Sequence, residues 1–459
     1  MNKKLKSLLA LMLALVLVLA ACGGDKPNTE TPTTGEEEKP TEGETTETPA
    51  AKLKGEISVQ AEEPWVAYYQ KAIDKIVAEN PDAKINIKTV GSFDHIGVIE
   101  STDATNQDVA DVFALPADRF TGFADNDILA ALDAQAMARE LGGFADYDAG
   151  LGGNLKVGDD YLAFPFNIET LVTFVNTKNA EAAGTDHTKP YELTEQKDAA
   201  TVLLPLFDAW FGVAPNNAGG IELLAKDDDG KFVSTYAAPY DGLTADQKAV
   251  FDAIYGYWKL NKDAATTLFD AEAGWGYIDH EFTAGGKGQI RLEGPWATSG
   301  DGIIAKEVAA GNVAVYPIGH ITIGGKPLTH WQGGWTLAVN SRIEEDADKM
   351  ALATALIKEL VNPANAVELY KATGKILENV TVDVYEASDL TDVDKSVIKN
   401  VLESYKVSPP RPLFKEYGQV WDTWKNAVLS WNSVNPADPA AAYEQLNASF
   451  TSMMQQIGQ

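Results

Sequence analysis

The sequence has one cysteine and only five histidines among its 459 residues. A single cysteine excludes disulfide bonds within the chain, so a folded body of this length must be held together by its hydrophobic core. The histidines stand far apart without the spacing of metal ligands, and we expect them to be surface or structural residues. A phosphate-binding loop, an HExxH motif, a nucleophile elbow and a CxxC pair are absent. These absences argue against an enzyme, and we expect no cofactor and no metal.

Basic residues are also scarce, because 37 Lys and Arg stand against 67 Asp and Glu, for a formal net charge of −30. A chain of this sign should be repelled by nucleic acid and by anionic membranes. The one long apolar run, residues 8–21, is shorter than the roughly 20 residues that a membrane-spanning helix needs. We therefore expect no nucleic-acid partner and no transmembrane helix.

The amino terminus has the layout of a secretory signal. Three lysines precede the apolar run, which ends in the sequence LAACGG around Cys22. This segment resembles the lipobox of bacterial lipoproteins, in which the cysteine receives a diacylglycerol and becomes the new amino terminus. We predict a signal peptide at residues 1–21 and a lipid anchor on Cys22, on the extracellular face of the cytoplasmic membrane. The alternative is an ordinary signal peptide with a chance cysteine.

Residues 22–53 are rich in Thr, Glu, Pro and Gly and contain no aromatic residue. Such a composition cannot bury enough apolar surface to offset the entropy of ordering, so we predict a disordered tether. Beyond it, residues 56–60 and 84–90 alternate like strands, and residues 109–115 form a mostly apolar strand candidate. A helical pattern opens at Pro64, between the first two strands. This order predicts an α/β fold.

Three further helices have recognisable starts. Thr244 and Gln247 have the spacing of a capping box, a helix is predicted over residues 346–360, and Asp438-Pro439 opens the last one.

Tryptophan is the residue in excess. Large flat apolar faces are unfavourable on a surface unless something covers them, and the apolar faces of pyranose rings stack well on indole. Carboxylates, amides and cations at the rim would then bond the sugar hydroxyls. Any one of the tryptophans, considered alone, is readily explained as a core residue, but the ten together favour a sugar-binding site. The ten are Trp65, Trp210, Trp258, Trp275, Trp296, Trp331, Trp335, Trp421, Trp424 and Trp431.

Six segments, in order, resemble those of the maltose- and maltodextrin-binding proteins of bacterial ABC importers. They are DVFALPADRF (residues 111–120), ADNDILAAL (124–132), YLAFPFNIE (161–169), GGKGQIRLEGPW (285–296), GGWTLAVN (333–340) and Arg411-Pro412 followed by VWDTWK (420–425). The resemblance covers nearly everything from residue 54 onward.

The resemblance implies a two-lobed periplasmic-binding-protein fold of type II, with mixed sheets flanked by helices and three crossings between the lobes. Lobe one would hold residues 54–167 and 336–388, and lobe two residues 172–331 and 394–459. A monomer would close on its sugar and deliver it to an ABC permease. Two other interpretations remain open: a secreted glycoside hydrolase using Asp118, Glu169 and Asp208, and a surface adhesin or sensor without a permease.

The resemblance also carries over ligand contacts. Hydrogen bonds to sugar hydroxyls are expected from Asp118, Arg119, Glu169, Asp208 and Lys425, and stacking from Trp210, Trp296, Trp421 and, with a weaker basis, Trp335. Trp424 and Trp431 are expected to be core.

The chain departs from the family pattern at three places. Glu62 and Glu63 stand where the family has an Asp-Lys pair, and they too are expected to contact the ligand, although the change removes a cationic donor. Leu115 replaces a stacking tryptophan, and the turn at Gly374-Lys375-Ile376-Leu377 lacks a proline. These changes leave the sugar open between maltodextrins, trehalose and β-linked oligosaccharides.

Overall fold

The structure, a computed structural model, describes residues 52–458. The predicted signal peptide, the lipidation site Cys22 and all but the last two residues of the predicted tether lie outside the described residues. The body is anchored at its start by the Leu53 amide, which donates to Asn80 Oδ1 at 2.9 Å. Within residues 52–458, no helix combines the length and the apolarity needed to cross a membrane.

The first lobe is built on a five-stranded mixed sheet in the order β2-β1-β3-β16-β6. β1 runs parallel to β2 and β3, whereas β16 is antiparallel to β3 and β6. The five strands are β1 (Gly55–Ala61), β2 (Ala83–Thr89), β3 (Val112–Pro116), β6 (Phe164–Glu169) and β16 (Gly333–Val339). The central strands β3 and β16 are buried along their whole length, which explains their continuous apolar runs.

Helices cover this sheet, and a short hairpin of β4 (Lys156–Val157) and β5 (Asp160–Tyr161) lies before β6. The helices are α1 (Val66–Glu79), α2 (Ser92–Ser101), α3 (Phe120–Asp125), α4 (Ala134–Leu141), α10 (Ala347–Leu360), α11 (Ala366–Thr373) and α12 (Val382–Glu386). In α1, the buried residues Tyr69, Ala72, Ile73 and Ile76 recur at helical spacing. This is the apolar face that the sequence predicts after Pro64.

The second lobe has a four-stranded sheet in the order β13-β7-β12-β9 and a three-stranded sheet in the order β15-β14-β8. Its strands are β7 (Val172–Asn176), β8 (Tyr191–Glu192), β9 (Val202–Leu203), β10 (Ala225–Lys226), β11 (Phe232–Val233), β12 (Ile290–Glu293), β13 (Val313–Pro317), β14 (Ile321–Ile323) and β15 (Lys326–Pro327). Its helices are α5 (Thr177–Ala183), α6 (Ala209–Ala218), α7 (Ala245–Asp263), α8 (Gly274–Phe282), α9 (Ile303–Ala309), α13 (Asp392–Val407), α14 (Gly418–Val434) and α15 (Pro439–Ile457).

The predicted helix starts are confirmed. Thr244 Oγ1 accepts from the Gln247 amide at 3.2 Å while the Gln247 side chain accepts from the Thr244 amide at 3.0 Å. The Asp346 and Asp438 side chains accept from first-turn amides of α10 and α15. Each cap satisfies backbone donors that have no partner inside the helix.

The chain passes between the lobes at three places. β6 ends at Glu169 and β7 starts at Val172 in the other sheet. The return falls between β15 and β16, and the third passage lies between α12 and α13, since α13 packs on β13. Gly333 lies opposite Glu169 in the ladder, and a Cβ on Gly334 would come within 2.4 Å of the Asn167 carbonyl oxygen. The Gly-Gly pair therefore lets two interlobe segments run close together.

The strand predicted over residues 109–115 is shorter at its start, because β3 begins only at Val112. Before Val112, side chains form hydrogen bonds with this segment in place of a neighbouring strand. The Ala110 amide donates to His95 Nε2 at 2.9 Å, and the Asp111 carboxylate accepts from the Ser58 amide at 2.7 Å and pairs with Arg342. An apolar run alone does not reveal these partners.

Candidate functional site

A cavity of about 780 Å³ lies between the two lobes, which is large enough for an oligosaccharide-sized molecule. Ten of the eleven predicted contact residues line it: Glu62, Asp118, Arg119, Glu169, Asp208, Trp210, Trp296, Trp335, Trp421 and Lys425. The exception is Glu63, which is exposed in the short turn before α1 and is not part of the lining. The prediction of Glu63 as a contact therefore has no support in this geometry.

The lobe-two wall is aromatic. The Trp210 and Trp421 ring centroids are 6.5 Å apart, and both rings lie 6.2 Å from Trp331 behind them. Asp208 caps α6 and accepts from the Trp210 amide at 2.8 Å, which fixes the first turn of this helix. Burial raises the pKa of Asp208, while that hydrogen bond and Lys425 oppose the rise.

His330 supports this wall from behind. Its Nε2 lies 2.8 Å from the Trp210 carbonyl oxygen, and its ring contacts the Trp210 ring at 4.2 Å. Burial lowers the pKa of His330 to about 3, so the ring is neutral at physiological pH. A carbonyl oxygen can only accept, so Nε2 carries the proton. This is the structural role expected for the histidines.

Trp296 is presented by a tight turn after β12. A Cβ on Gly294 would come within 2.1 Å of the Trp296 ring, so the indole folds back over a residue that has no side chain. Trp296 is 36% exposed, which is high for a tryptophan in a folded body. Its remaining face is open to the cavity.

Trp421 and Trp424 lie on one helix but have different surroundings. Trp424 is fully buried and donates from Nε1 to the Leu206 carbonyl oxygen at 2.8 Å, and Trp431 is also fully buried. Trp421 is only partly buried and lines the cavity. The interpretation of Trp424 and Trp431 as core residues is confirmed.

On the lobe-one side, Glu169 and Trp335 are linked by a hydrogen bond. Trp335 Nε1 donates to Glu169 Oε2 at 3.1 Å, and the Trp335 ring packs against Phe93 at 5.3 Å. Burial raises the pKa of Glu169, while the positive charges of Lys375 and Arg411 oppose the rise.

Asp118 and Arg119, adjacent in sequence, have different partners. Asp118 Oδ2 pairs with Arg411 Nη2 at 2.8 Å, and both side chains are about nine-tenths buried. Arg119 Nη1 reaches Glu100 Oε1 at 3.3 Å and is 39% exposed. Asp118 and Arg119 also line a second cavity, of about 550 Å³, beside the first.

Several lining residues lie outside the predicted contacts, chiefly Lys375, Arg411, Trp65, Phe93 and Asp422. Arg411 stood inside a resembling motif, and its guanidinium lies 4.7 Å from the Trp210 ring centroid. Trp65 is 5% exposed and belongs to the core, yet it also lines the cavity. Lys375 had no sequence signal, because a lysine after a glycine in a turn is typical of a surface loop.

Lys375 changes one expectation. Glu62-Glu63 suggested that the first lobe has lost a cation, yet the Lys375 ammonium occupies this side of the cavity, 4.9 Å from the Trp65 ring centroid and 4.7 Å from that of Trp335.

Among residues 52–458, no three His, Asp or Glu side chains are placed to hold a metal ion.

Two α/β lobes joined by three crossings around one ligand-sized cleft define a two-lobed solute-binding fold. The family model of the bacterial extracellular solute-binding proteins matches residues 62–367, more than half of the chain, and the protein belongs to this family. A comparison with curated proteins finds no match.

Solved structures share the fold at low sequence identity. The GacH receptor of Streptomyces glaucescens, studied unliganded and with acarbose, has a TM-score of 0.66 and 19% identity, covering 88% of this chain and 99% of its own. MalX from Streptococcus pneumoniae, in complex with maltopentaose, has a TM-score of 0.67 and 16% identity, with 87% and 100% covered. The maltose-bound MalE of Listeria monocytogenes has a TM-score of 0.61 and 17% identity, with 87% and 98% covered.

Proposed function

We propose that this protein is the receptor of an ABC sugar importer and binds a maltodextrin-like oligosaccharide in the interlobe cleft. The observation that carries the proposal is the lining itself. Indole rings from both lobes face one cavity together with carboxylates and cations. Rings of this kind stack on the apolar faces of pyranoses, and charged rim groups bond hydroxyls. That structural neighbours were solved with acarbose, maltose and maltopentaose supports the same ligand class.

Binding would favour the closed arrangement because a ligand that touches both lobes gains all its contacts only when the cleft is shut. Trp335 and Glu169 would contact it from the lobe-one side, and Trp210, Trp296 and Trp421 from lobe two. The receptor would release the sugar to a membrane permease and leave it chemically unchanged.

Calorimetry on residues 53–459 tests the proposal. Maltose, maltotriose, trehalose and a β-linked oligosaccharide are titrated in turn, and we expect binding to at least one α-linked glucan. Binding only to trehalose or the β-linked sugar would support the proposed receptor role but correct the identity of the ligand. Absence of binding to every sugar would contradict carbohydrate recognition, and cleavage of the sugar during long incubation would indicate a hydrolase.

Anchoring is a separate part of the proposal. A lipid on Cys22 would hold the receptor at the outer face of the membrane, beside a permease. We expect mass spectrometry of the amino-terminal peptide from cells to find a diacylglycerol on Cys22, and Cys22→Ser to release the protein into the medium. An unmodified cysteine in the mature protein would contradict the anchor.

A further inference from the structure

The cleft holds a buried ammonium group without a polar partner. Lys375 is 8% exposed, and among residues 52–458 its Nζ contacts aromatic rings and has no ion-pair or hydrogen-bond partner. Its neighbours are the rings of Trp65, Phe166 and Trp335, with centroids 4.9, 5.1 and 4.7 Å from Nζ. Aromatic faces attract a cation, but they accept none of the three hydrogen bonds that an ammonium donates, so these remain for whatever occupies the cavity.

Two carboxylates influence Lys375 without bonding to it. Glu169 and Glu62 both act on Lys375 electrostatically, but neither lies within ion-pair distance of it. Glu169 is held by Trp335 through Oε2, which leaves its Oε1 without a partner among the described residues. A buried cation and a largely buried carboxylate therefore line the same cavity without touching each other.

One chemical group satisfies both sides. A hydroxyl can accept from an ammonium and donate to a carboxylate at the same time, whereas a ligand carboxylate would meet Lys375 favourably and Glu169 unfavourably. The whole cleft is also unfavourable for an anion, because five carboxylates and four cations line it. They are Glu62, Asp118, Glu169, Asp208 and Asp422, with Arg119, Lys375, Arg411 and Lys425.

We infer that Lys375 is a specificity-determining residue that, together with Glu169, reads one hydroxyl group of a neutral sugar ligand. The inference rests on the proposed function and deepens it, because it names the ligand as uncharged and assigns one of its hydroxyls to a fixed position. A buried pair that is left without its bonding partner rejects an analogue far more strongly than an apolar pocket does.

The test crosses a protein variant with a ligand variant. The sugar that binds wild type most tightly is compared with its monodeoxy derivatives, on wild type and on Lys375→Met, which keeps most of the unbranched side chain and removes the ammonium. We expect Lys375→Met to weaken binding of the parent sugar at least tenfold. One deoxy derivative should bind wild type at least tenfold more weakly than the parent sugar does. On Lys375→Met the same derivative should lose clearly less relative to the parent sugar, because only the bond to Glu169 is then missing.

A purely structural role for Lys375 makes a different prediction. If the ammonium only stabilises the aromatic cluster, Lys375→Met should lower the melting temperature, and every deoxy derivative should weaken both proteins by the same factor; that result would overturn the inference. We expect the melting temperature to be unchanged or higher.

Lys371→Met is the control. Lys371 precedes Lys375 by four residues and pairs with Asp389 on the surface, so this variant should leave sugar binding unchanged.

The outcome does not depend on the variant being stable. If wild type binds sugars but none of its monodeoxy derivatives loses tenfold, no hydroxyl is read and the inference fails even if Lys375→Met does not fold. Failure of wild type to bind any sugar would instead contradict the proposed function. Tighter binding of a uronic acid oligosaccharide than of its neutral counterpart would also overturn the inference.

Discussion

At the scale of the residue, two tryptophans one helical turn apart separate binding from stability. We expect Trp421→Ala to weaken sugar binding by about 1–3 kcal/mol, because a stacking face is lost, with little change in melting temperature. Trp424→Phe should lower stability and leave sugar binding unchanged. It removes the 2.8 Å hydrogen bond to Leu206 and some core volume, and should lower the free energy of unfolding by about 1–3 kcal/mol while the affinity is kept. Calorimetry measures the affinity of each variant, and urea denaturation measures its free energy of unfolding. Wild-type affinity of Trp421→Ala would mean that the cleft residues are wrongly assigned.

The buried ammonium of Lys375 also has a signature in stability. Burial lowers the pKa of Lys375 to about 8, against 10.5 for the free side chain. Between these values the unfolded chain binds one proton more than the folded one, so the free energy of unfolding should rise with pH. We expect the wild type to gain relative to Lys375→Met by up to about 1.4 kcal/mol per pH unit above pH 8. Urea denaturation from pH 7 to 10 checks this, and parallel curves for the two proteins would contradict it.

Residue by residue, the sequence was most informative where a contact belongs to a segment that resembles the family. Trp210, Trp296 and Trp421 belong to segments whose order resembles that of a family, so their meeting at one cleft could be predicted. Lys375 could not, because its environment is made by Trp65 and Trp335, which are distant in the chain and come together only through the sheet.

At the scale of the element, the turn after β12 determines how one indole is presented. Gly294 has an ordinary negative φ of −99°, so alanine is acceptable to the backbone, but its Cβ would occupy the space of the Trp296 ring. We expect Gly294→Ala to displace the indole and to weaken sugar binding about as much as Trp296→Ala, roughly tenfold or more. Stability should change little, since this ring is already 36% exposed.

Gly276 provides the matched control for this turn. It lies in α8 of the same lobe, and a Cβ there would meet no atom within 4 Å. Gly276→Ala should keep the affinity and raise the free energy of unfolding by about 0.5–1 kcal/mol, because alanine favours the helix. Unchanged sugar binding by Gly294→Ala would show that the turn tolerates a side chain and that the position of the indole is not set by glycine.

Element boundaries that are set by contacts between neighbouring residues were the most predictable. The start of α7 follows from Thr244 and Gln247, which bond each other within one turn. The start of β3 follows from contacts of Asp111 with Ser58 and Arg342, across 53 and 231 positions. Information of that range is not present in a window of neighbouring residues, which is why the predicted strand began three residues too early.

At the scale of the whole molecule, the two lobes are tied together beside the cleft by a buried ion pair. Asp118 follows the lobe-one strand β3, whereas Arg411 belongs to the segment that leads into the lobe-two helix α14. Their 2.8 Å contact is largely shielded from water, and the guanidinium also packs on the Trp210 ring. A charge left alone in this environment would be strongly unfavourable.

We therefore expect Asp118→Asn and Arg411→Met each to lower the free energy of unfolding by about 3–5 kcal/mol, and the double variant to lose clearly less than the sum of the two. The exposed pair Lys71–Glu368, with a 2.6 Å contact, is the control, and its removal should cost less than about 1 kcal/mol. Urea denaturation of the wild type, the two single variants and the double variant, all without ligand, measures the coupling. Strict additivity of Asp118→Asn and Arg411→Met would mean that the two charges do not stabilise each other.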